Sequence, residues 1–430
     1  MTPQATIQFR LSIPVQIGIP PTPNFCCNTS TMALPSFEAQ ISKALTDNTI
    51  PGAVLLATSK DGKVNYAKNF GPWDETTVFR LTSMTKLVTS IAVAKAIEQG
   101  LVTLDADVAA HLPTLAAQPI LSGFSQTTGE PVLRRRERPI TLRHLMTHSY
   151  GQAYTFLDAE LTGRYVQRSA GRDPGLNSIL GRRGVDDTFG YPLVAEPGEG
   201  FAYGPGIDWA GRLVEVAAGV SLEEYIQRHI CAPLGVEGRI TFFPGRNHPQ
   251  YPQKRAALSV RDGGTGKAVP APAGAAGVNP AEVEHCMGGA GLFADMASYL
   301  KVLESILADD ERLLKRETAR LLFESLLSDH GKDRAVLVDI FRNPDFVVGW
   351  TPQPAEVYSW SLAGLVTPGG NAHRRKGFLQ WSGAYNLSWF IDREAGLTAL
   401  FATSFLPPAD AQIEELMKAY ELGLYEQLGS

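Results

Sequence analysis

The chain has 430 residues, of which 44% are hydrophobic and 19% charged, an ordinary composition for a soluble globular protein. That length allows two or three domain-sized units or one large composite. A net charge of −5 argues against a nucleic-acid partner. No apolar run reaches the roughly 18 residues of a spanning helix, so we expect no membrane partner either.

Residues 1–31 differ from the rest of the chain, with five prolines and no helical or strand period. The mildly apolar stretch Leu11–Pro21 is interrupted by Pro14 and Pro20, and only Arg10 precedes it, which makes a poor secretory signal. We expect residues 1–31 to be a disordered tail or an artefact of an upstream start.

No metal-ligand spacing and no disulfide framework connects the four cysteines, which are Cys26, Cys27, Cys231 and Cys286. A reduced compartment is the simpler interpretation, and we therefore expect a cytoplasmic protein. We also expect no cofactor and no metal.

Regular patterning begins near Met32. Residues 36–47 predict an amphipathic helix, and Gly52–Thr58 and Lys63–Phe70 predict two strands joined by a hairpin turn at Lys60–Gly62. An apolar helix that begins near Ser83 and stops at Gly100 follows.

From about residue 100 to 340 the pattern is mostly helical. Helices are predicted over Thr141–Met146, Ile207–Ala218, Leu222–Ile230, Tyr299–Ala308 and Glu311–Leu327. The Gly-, Pro- and Ala-rich segment Asp262–Pro280 predicts a loop. Strands return at Asn386–Asp392 and Gly396–Thr403, and residues 410–427 predict a closing helix.

Strand patterns at both chain ends, with helices between them, predict an α+β fold. Its antiparallel sheet would be formed from both ends, flanked by helices and interrupted by an inserted all-helical domain. Residues 32–80 and 340–430 would form the sheet domain, and residues 81–339 the mainly helical domain that carries the nucleophile helix. We expect the active site in the cleft between them.

The segment Leu81–Ser90 places Ser83 three residues before Lys86. A hydroxyl needs a base beside it to act as a nucleophile, and three residues of helix bring the lysine amine alongside. A chance match, with serine as a cap and lysine in solvent, is the alternative. The apolar residues that follow favour the chemical interpretation, because a lysine in a buried helix is costly unless it is paired or deprotonated.

Two further segments supply candidate partners. Tyr203 precedes a turn and a helix predicted to begin near Asp208, which we expect to cap it. Beside a lysine, the Tyr203 phenol is a usable general base. The alternative is that Tyr203 only packs against the start of the helix. The small residues Ser382, Gly383 and Ala384 open a strand that can aim a backbone N–H at an acyl oxygen, or mark a bulge.

Together these segments resemble the serine β-lactamase and penicillin-binding-protein superfamily in its class C and esterase branch. More narrowly, they resemble the fungal side-chain acyltransferases of statin biosynthesis, the lovastatin-type transesterases. The resemblance runs from about Ile50 to Ala419. Its markers are Ile50–Val54, Phe79–Leu87, Ile140–His148, Tyr203–Gly211, Cys231–Gly235, Gly288–Phe293 and Arg374–Gly377.

The resemblance implies that Ser83 is the nucleophile, Lys86 its partner and Tyr203 the third catalytic residue. Trp381–Gly383 matches the substrate-binding strand motif that reads Lys-Thr-Gly in β-lactamases. Ala384 occupies the position whose backbone N–H, with that of Ser83, makes the oxyanion hole.

Two departures from the β-lactamase pattern point away from that activity. Pro205 stands where β-lactamases have asparagine, and Trp381 stands where they have lysine. The amide and the cation that would bind an anionic β-lactam are therefore missing. We expect an acyltransferase that moves an acyl group from a thioester or ester, through acyl-Ser83, to a hydroxyl of a polyketide-like small molecule. An esterase or thioesterase is the alternative; a β-lactamase or a silent binding protein is disfavoured.

The sequence leaves open whether an acyl carrier protein or coenzyme A carries the donor. The basic clusters Arg134–Arg136 and Arg374–Lys376 are solvated loops or phosphate-steering sites. His144 and His148 have the spacing of a metal pair, but no third ligand accompanies them, and structural hydrogen bonding is favoured.

Overall fold

The computed structural model describes residues 36–170, 179, 181–275, 279–327, 337, 357–370 and 373–429. The predicted tail at residues 1–31 lies outside this part of the chain. Residues 36–430 form one compact unit, within which the predicted domain boundaries at residues 80 and 340 stay predictions. No helix of the described residues is long and apolar enough to cross a membrane.

The described residues contain fifteen strands, and seven of them form the main antiparallel sheet. In chain order the strands are β1 (Ala53–Ser59), β2 (Asn65–Phe70), β3 (Val78–Arg80), β4 (Ile120–Phe124), β5 (Pro131–Arg134), β6 (Ile240–Thr241), β7 (Ser259–Arg261), β8 (Ala268–Pro270), β9 (Phe293–Asp295), β10 (Ser359–Trp360), β11 (Leu365–Thr367), β12 (Phe378–Gly383), β13 (Leu387–Asp392), β14 (Leu397–Ala402) and β15 (Phe405–Leu406). The sheet order is β10-β11-β12-β13-β14-β1-β2, which confirms a sheet built from both chain ends. Smaller sheets are β15-β7-β8, β3-β9-β6 and the pair β4-β5.

Helices flank this sheet and fill the middle of the chain. They are α1 (Phe37–Thr46), α2 (Thr85–Glu98), α3 (Pro113–Ala116), α4 (Leu142–Met146), α5 (Arg164–Ala170), α6 (Val185–Phe189), α7 (Gly206–Ala218), α8 (Leu222–Ile226), α9 (Ala232–Leu234), α10 (Pro244–Asn247), α11 (Met296–Ala308), α12 (Arg316–Ala319) and α13 (Ala411–Leu428). Short 3-10 turns cover Thr82–Met84, Pro280–Glu282 and Arg320–Leu322, and π-helical turns cover Ala159–Gly163 and Gln227–Cys231.

The alternation of side chains along β1 divides the core in two. Val54 and Leu56 pack into a large core shared with the helical body. Ala53, Leu55 and Ala57 point to the other face of the sheet and pack with residues of α1 and α13. Helix α2 is buried on almost every side, as its apolar sequence predicts. The large core therefore joins the sheet to α2.

Two predicted elements are wrong in their extent. The helix predicted over Glu311–Leu327 is reduced to α12 and one 3-10 turn, because the Leu326 N–H donates to the carbonyl of Trp360 instead of continuing a helix. The segment predicted as the loop Asp262–Pro280 contains β8, which pairs with β7. Its Gly- and Pro-rich surroundings concealed a strand of only three residues.

A buried ion pair ties α13 to the loop before β12. The Arg374 guanidinium donates to both carboxylate oxygens of Glu421, at 2.7 and 3.0 Å, and His373 lies 3.0 Å from the same carboxylate. Burial favours a higher pKa for Glu421, but Arg374 and His373 outweigh it and lower the pKa. Arg374 thus has a structural role, since its guanidinium is buried and paired with Glu421.

We predict that Glu421→Gln lowers the free energy of unfolding by about 3–5 kcal/mol, because it leaves the Arg374 charge buried and unpaired. Since the pKa of Glu421 is lowered, its contribution is present at neutral pH and disappears as the pH falls through the folded-state value. Urea denaturation at neutral and acid pH measures both effects. The control is Glu415→Gln on the exposed side of α13; equal losses for the two variants would contradict the prediction.

Candidate active site

Ser83 lies in the middle of the 3-10 turn Thr82–Met84 that leads into α2. The turn is held from two sides: the Leu81 N–H donates to the carbonyl of Leu292, at 2.9 Å, and the Tyr299 hydroxyl donates to the carbonyl of Met84, at 2.9 Å. Thr82 has a φ of 45°, an uncommon conformation for a β-branched residue. Such strain persists only where the surroundings enforce it, and it lies here beside Ser83.

The side chains of Ser83, Lys86 and Tyr203 meet in one cluster. Lys86 Nζ lies 3.2 Å and the Tyr203 hydroxyl 3.0 Å from Ser83 Oγ. Lys86 is fully buried, and its ammonium lies 4.8 Å from the centre of the Tyr203 ring. Three residues separated by up to 120 positions thus share hydrogen-bonding distance around one hydroxyl.

An aromatic cluster surrounds the Tyr203 phenol. The Trp381 indole N–H donates to the Tyr203 hydroxyl oxygen at 3.3 Å, and the two rings are 5.4 Å apart. Trp360, which the sequence analysis did not single out, packs edge-on against Trp381 at 4.6 Å and against Tyr203 at 6.2 Å. Two indole rings therefore pack beside the Tyr203 phenol, and one of them donates a hydrogen bond to its oxygen.

The end of β12 approaches the Ser83 turn closely at Gly383. A Cβ there would lie 2.4 Å from the carbonyl oxygen of Leu81 and 2.5 Å from Thr82 Oγ1. Ala384, half-buried, follows directly. Because side chains alternate along the strand, Ser382 shares the face of Phe378, opposite the face of Trp381.

Two groups that no sequence pattern predicted contact the Lys86 ammonium on the side away from Ser83. Lys86 Nζ donates to the Gly289 carbonyl at 2.8 Å and lies 3.5 Å from the Tyr154 hydroxyl. Gly289 belongs to a motif noted for its resemblance only, and Tyr154 carried no pattern at all. Both are brought to Lys86 by loops distant in sequence.

The expectation that Asp208 caps a helix is wrong. Helix α7 begins at Gly206, preceded by Pro205, and Asp208 lies inside its first turn with 1% of its surface exposed. Its carboxylate accepts hydrogen bonds from the Gly289 N–H at 2.8 Å and the Tyr154 hydroxyl at 2.9 Å. Burial raises the pKa of Asp208, and Lys86 opposes that rise.

His144 and His148 have separate structural contacts. His144 completes a capping box with Thr141 at the start of α4, which ends before His148. Nδ1 of His148 accepts from the Gly204 N–H at 3.3 Å, and its ring packs 4.6 Å from that of Tyr203. Burial, reinforced by Lys86, lowers the pKa of His148 well below its usual value. No group of three or more candidate ligands in the described residues is arranged for a metal ion.

The chain matches a known family over most of its length. The beta-lactamase family model matches residues 37–421, and the chain belongs to that family.

Within the family, the chain is similar to fungal acyltransferases. It is 34% identical to the monacolin J acid methylbutanoyltransferase of Aspergillus terreus over 91% of this chain and 95% of that protein. A structure of the simvastatin synthase of the same organism, LovD6 mutant, has a TM-score of 0.81 and 34% identity, over 91% of this chain and 94% of the other. The lovastatin esterase of Penicillium rubens is 33% identical, over 91% of this chain and 98% of that protein. The resemblance and the fold class predicted from the sequence are thus confirmed.

We predict that Gly383→Ala lowers the free energy of unfolding by about 1–3 kcal/mol, because the new methyl group collides with backbone that cannot move freely. The reactivity of Ser83 toward an activated ester should fall as well, since the turn before it must shift. Chemical denaturation and the rate of ester labelling measure the two effects.

Gly369→Ala is the matched control for this prediction, because a Cβ at Gly369 meets nothing within 4 Å. Equal stability and labelling of the two variants would show that the close approach of β12 is unimportant.

Proposed function

We propose that the chain is a serine acyltransferase. It moves an acyl group from a thioester or ester donor, through an ester on Ser83, to a hydroxyl of a small polyketide-like molecule. The observation that carries the proposal is the position of Ser83 Oγ, within 3.2 Å of Lys86 and 3.0 Å of Tyr203. The methylbutanoyltransferase relatives support the substrate class.

In the first half of the reaction the Lys86–Tyr203 pair takes the proton of Ser83, and Ser83 Oγ bonds to the carbonyl carbon of the donor. The carbon–sulfur or carbon–oxygen bond then breaks, and the leaving thiol or alcohol receives the proton. The Trp381 N–H and the Lys86 ammonium, which faces the Tyr203 ring at 4.8 Å, support a proton-accepting Tyr203 oxygen.

In the second half, the same pair takes the proton of the acceptor hydroxyl, whose oxygen attacks the acyl carbon. Ser83 leaves and regains a proton. In both halves the backbone N–H groups of Ser83 and Ala384 are proposed to hold the oxyanion. Removing one such donor costs about 3–4 kcal/mol of transition-state stabilisation. The close approach of Gly383 to the Ser83 turn supports this pairing.

The Trp381 indole, backed by the fully buried Trp360, supports an uncharged acyl chain or polycyclic alcohol as substrate. Trp381 and Gly383 are proposed to contact it. Ser382, on the opposite face of β12, is proposed to contribute through its backbone instead of its hydroxyl.

Hydrolysis is the second candidate function, because the lovastatin esterase is as similar to this chain as the transferases are. The two reactions share the acyl-Ser83 intermediate and differ only in whether water or an alcohol takes the acyl group. The choice depends on how well the site holds an alcohol and excludes water.

Incubation with an acyl thioester, with and without polyketide-like alcohols, tests the function. We expect ester product whenever a suitable alcohol is present, at the expense of free acid, and no product from Ser83→Ala. Free acid in the same yield with every alcohol would establish the hydrolase instead. Activity retained in Ser83→Ala would contradict both functions.

We propose further that the donor is a thioester on a phosphate-bearing arm, as in coenzyme A or an acyl carrier protein. Arg134, Arg135, Arg136 and Arg138 line a surface cavity of about 750 Å³. Glu196 holds this segment through Arg134 and through two backbone N–H groups. Because Glu196 lies only seven residues before Tyr203, the backbones of these two residues are at most about 25 Å apart. In the other cluster, Arg374 is buried and paired with Glu421, whereas the Arg134 side chain is exposed despite its contact with Glu196.

We predict that Arg135→Glu raises the KM for acyl-coenzyme A about fivefold, because an exposed charge contact contributes up to about 1 kcal/mol. The KM for the same acyl group on N-acetylcysteamine, which has no phosphates, should not change. Arg228→Glu, an exposed arginine outside this cavity, is the control. An equal effect of Arg135→Glu on both donors would contradict the arginine site.

A further inference from the structure

A buried line of hydrogen bonds continues from Lys86 away from Ser83, and the reaction as proposed does not use it. Lys86 Nζ lies 3.5 Å from the Tyr154 hydroxyl, which donates to Asp208 at 2.9 Å. We propose that Asp208 is a positioning residue for Lys86, the carboxylate that orients both hydrogen-bond acceptors of its ammonium and balances its charge while it holds the Ser83 proton. This inference rests on the proposed acyl transfer at Ser83.

Asp208 holds both acceptors behind Lys86 at once. One carboxylate oxygen accepts from the Gly289 N–H at 2.8 Å, and the Gly289 carbonyl in turn accepts from Lys86 at 2.8 Å. The other oxygen accepts from Tyr154. A single side chain on α7 thus fixes a backbone carbonyl and a phenol that come from two different loops.

The hydrogen-bond donors on this line can point in only one direction. A lysine ammonium donates and never accepts, so the Tyr154 oxygen must accept from Lys86. Its only proton is then directed to Asp208. The phenol therefore connects the cation to the anion, and each bond strengthens its neighbour in a buried environment of low dielectric constant.

Gly289 gives independent evidence that this contact is built into the fold. A Cβ at this position would lie 2.3 Å from the Asp208 carboxylate and 2.6 Å from the Tyr154 hydroxyl. No other residue type allows the backbone to approach both groups so closely. The glycine, the phenol and the carboxylate form one fitted unit around Lys86.

Charge balance explains why a carboxylate is buried here. Lys86 has no exposed surface and Asp208 only 1%, and two opposite charges taken out of water must compensate each other. Burial raises the pKa of Asp208, but Lys86, the Gly289 N–H and the Tyr154 hydroxyl all favour its ionised form. The loss of that anion would make Lys86 less able to hold a proton.

The other titratable groups near the cluster do not replace Asp208. Burial raises the pKa of Tyr150 well above its usual value, and burial lowers that of His148 well below, so both are neutral near pH 7. Tyr203 is the proton-transfer partner itself. Carboxylates on the helices packed against α7 are engaged elsewhere: Asp186 of α6 with Arg212, and Glu223 of α8 with Thr241.

The test compares Asp208→Asn with wild type in the rate of acyl-Ser83 formation, measured by intact mass after rapid quenching across the pH range of folded enzyme. We expect the rate to fall about 10- to 100-fold, as when a general base loses part of its contribution. The limb on which the rate rises with pH should move to lower pH by about one unit, because without the anion the Lys86–Tyr203 pair loses its proton more readily.

Asp392→Asn is the matched control. Asp392 is also a buried aspartate that accepts from a tyrosine hydroxyl, that of Tyr425, and from backbone N–H groups, but it lies at the end of β13. It should lose stability without moving the pH limb. An Asp208→Asn enzyme whose limb coincides with that of wild type would show that Asp208 is only structural.

Tyr154→Phe keeps the test decisive if Asp208→Asn does not fold. Removing the phenol oxygen takes an acceptor from Lys86, so the rate should fall and the limb should move in the same direction. An unchanged rate and limb in Tyr154→Phe would overturn the inference. A wild-type enzyme that forms no adduct at Ser83 would overturn the proposed function first, an outcome distinct from a normal wild type with unshifted variants.

Discussion

The complete burial of the Lys86 ammonium is the constraint on which the rest of the site depends. A lysine with no exposed surface must find acceptors for its hydrogens or lose its proton. Here the surroundings supply the Ser83 hydroxyl on one side and the Gly289 carbonyl and Tyr154 phenol on the other. The same hydrogen bonds that stabilise the buried charge therefore place an amine beside the Ser83 hydroxyl.

Close backbone contact is the second feature that the site requires. The strained turn at Thr82 and the side-chain-free edge at Gly383 let the sheet touch the start of α2. Gly289 plays the corresponding part behind Lys86. Side chains at either glycine would separate elements whose hydrogen-bonding groups must lie within about 3 Å of one another.

The sequence predicted those parts of the molecule that depend on local pattern. The apolar runs of α2, β1 and β14 and the hairpin turn at Lys60–Gly62 all follow from neighbouring residues. Ser83 and Lys86 were recognisable because one helical turn brings them together.

Contacts between distant segments were not predictable in the same way. Tyr154 comes from an irregular loop, and Asp208 has the spacing of an ordinary helix cap, so neither position signals that both face Lys86. The helix predicted over Glu311–Leu327 failed for a related reason, since a long-range hydrogen bond to Trp360 overrides its local helical pattern.

The central claim is that Ser83 carries the acyl group because Lys86 is buried beside it. Digestion and tandem mass spectrometry of enzyme quenched during turnover of an acyl thioester test it most directly. The structure predicts one acyl group per chain, attached to Ser83 and lost on addition of an alcohol acceptor. An acyl group on another residue, or turnover without any covalent adduct, would contradict it.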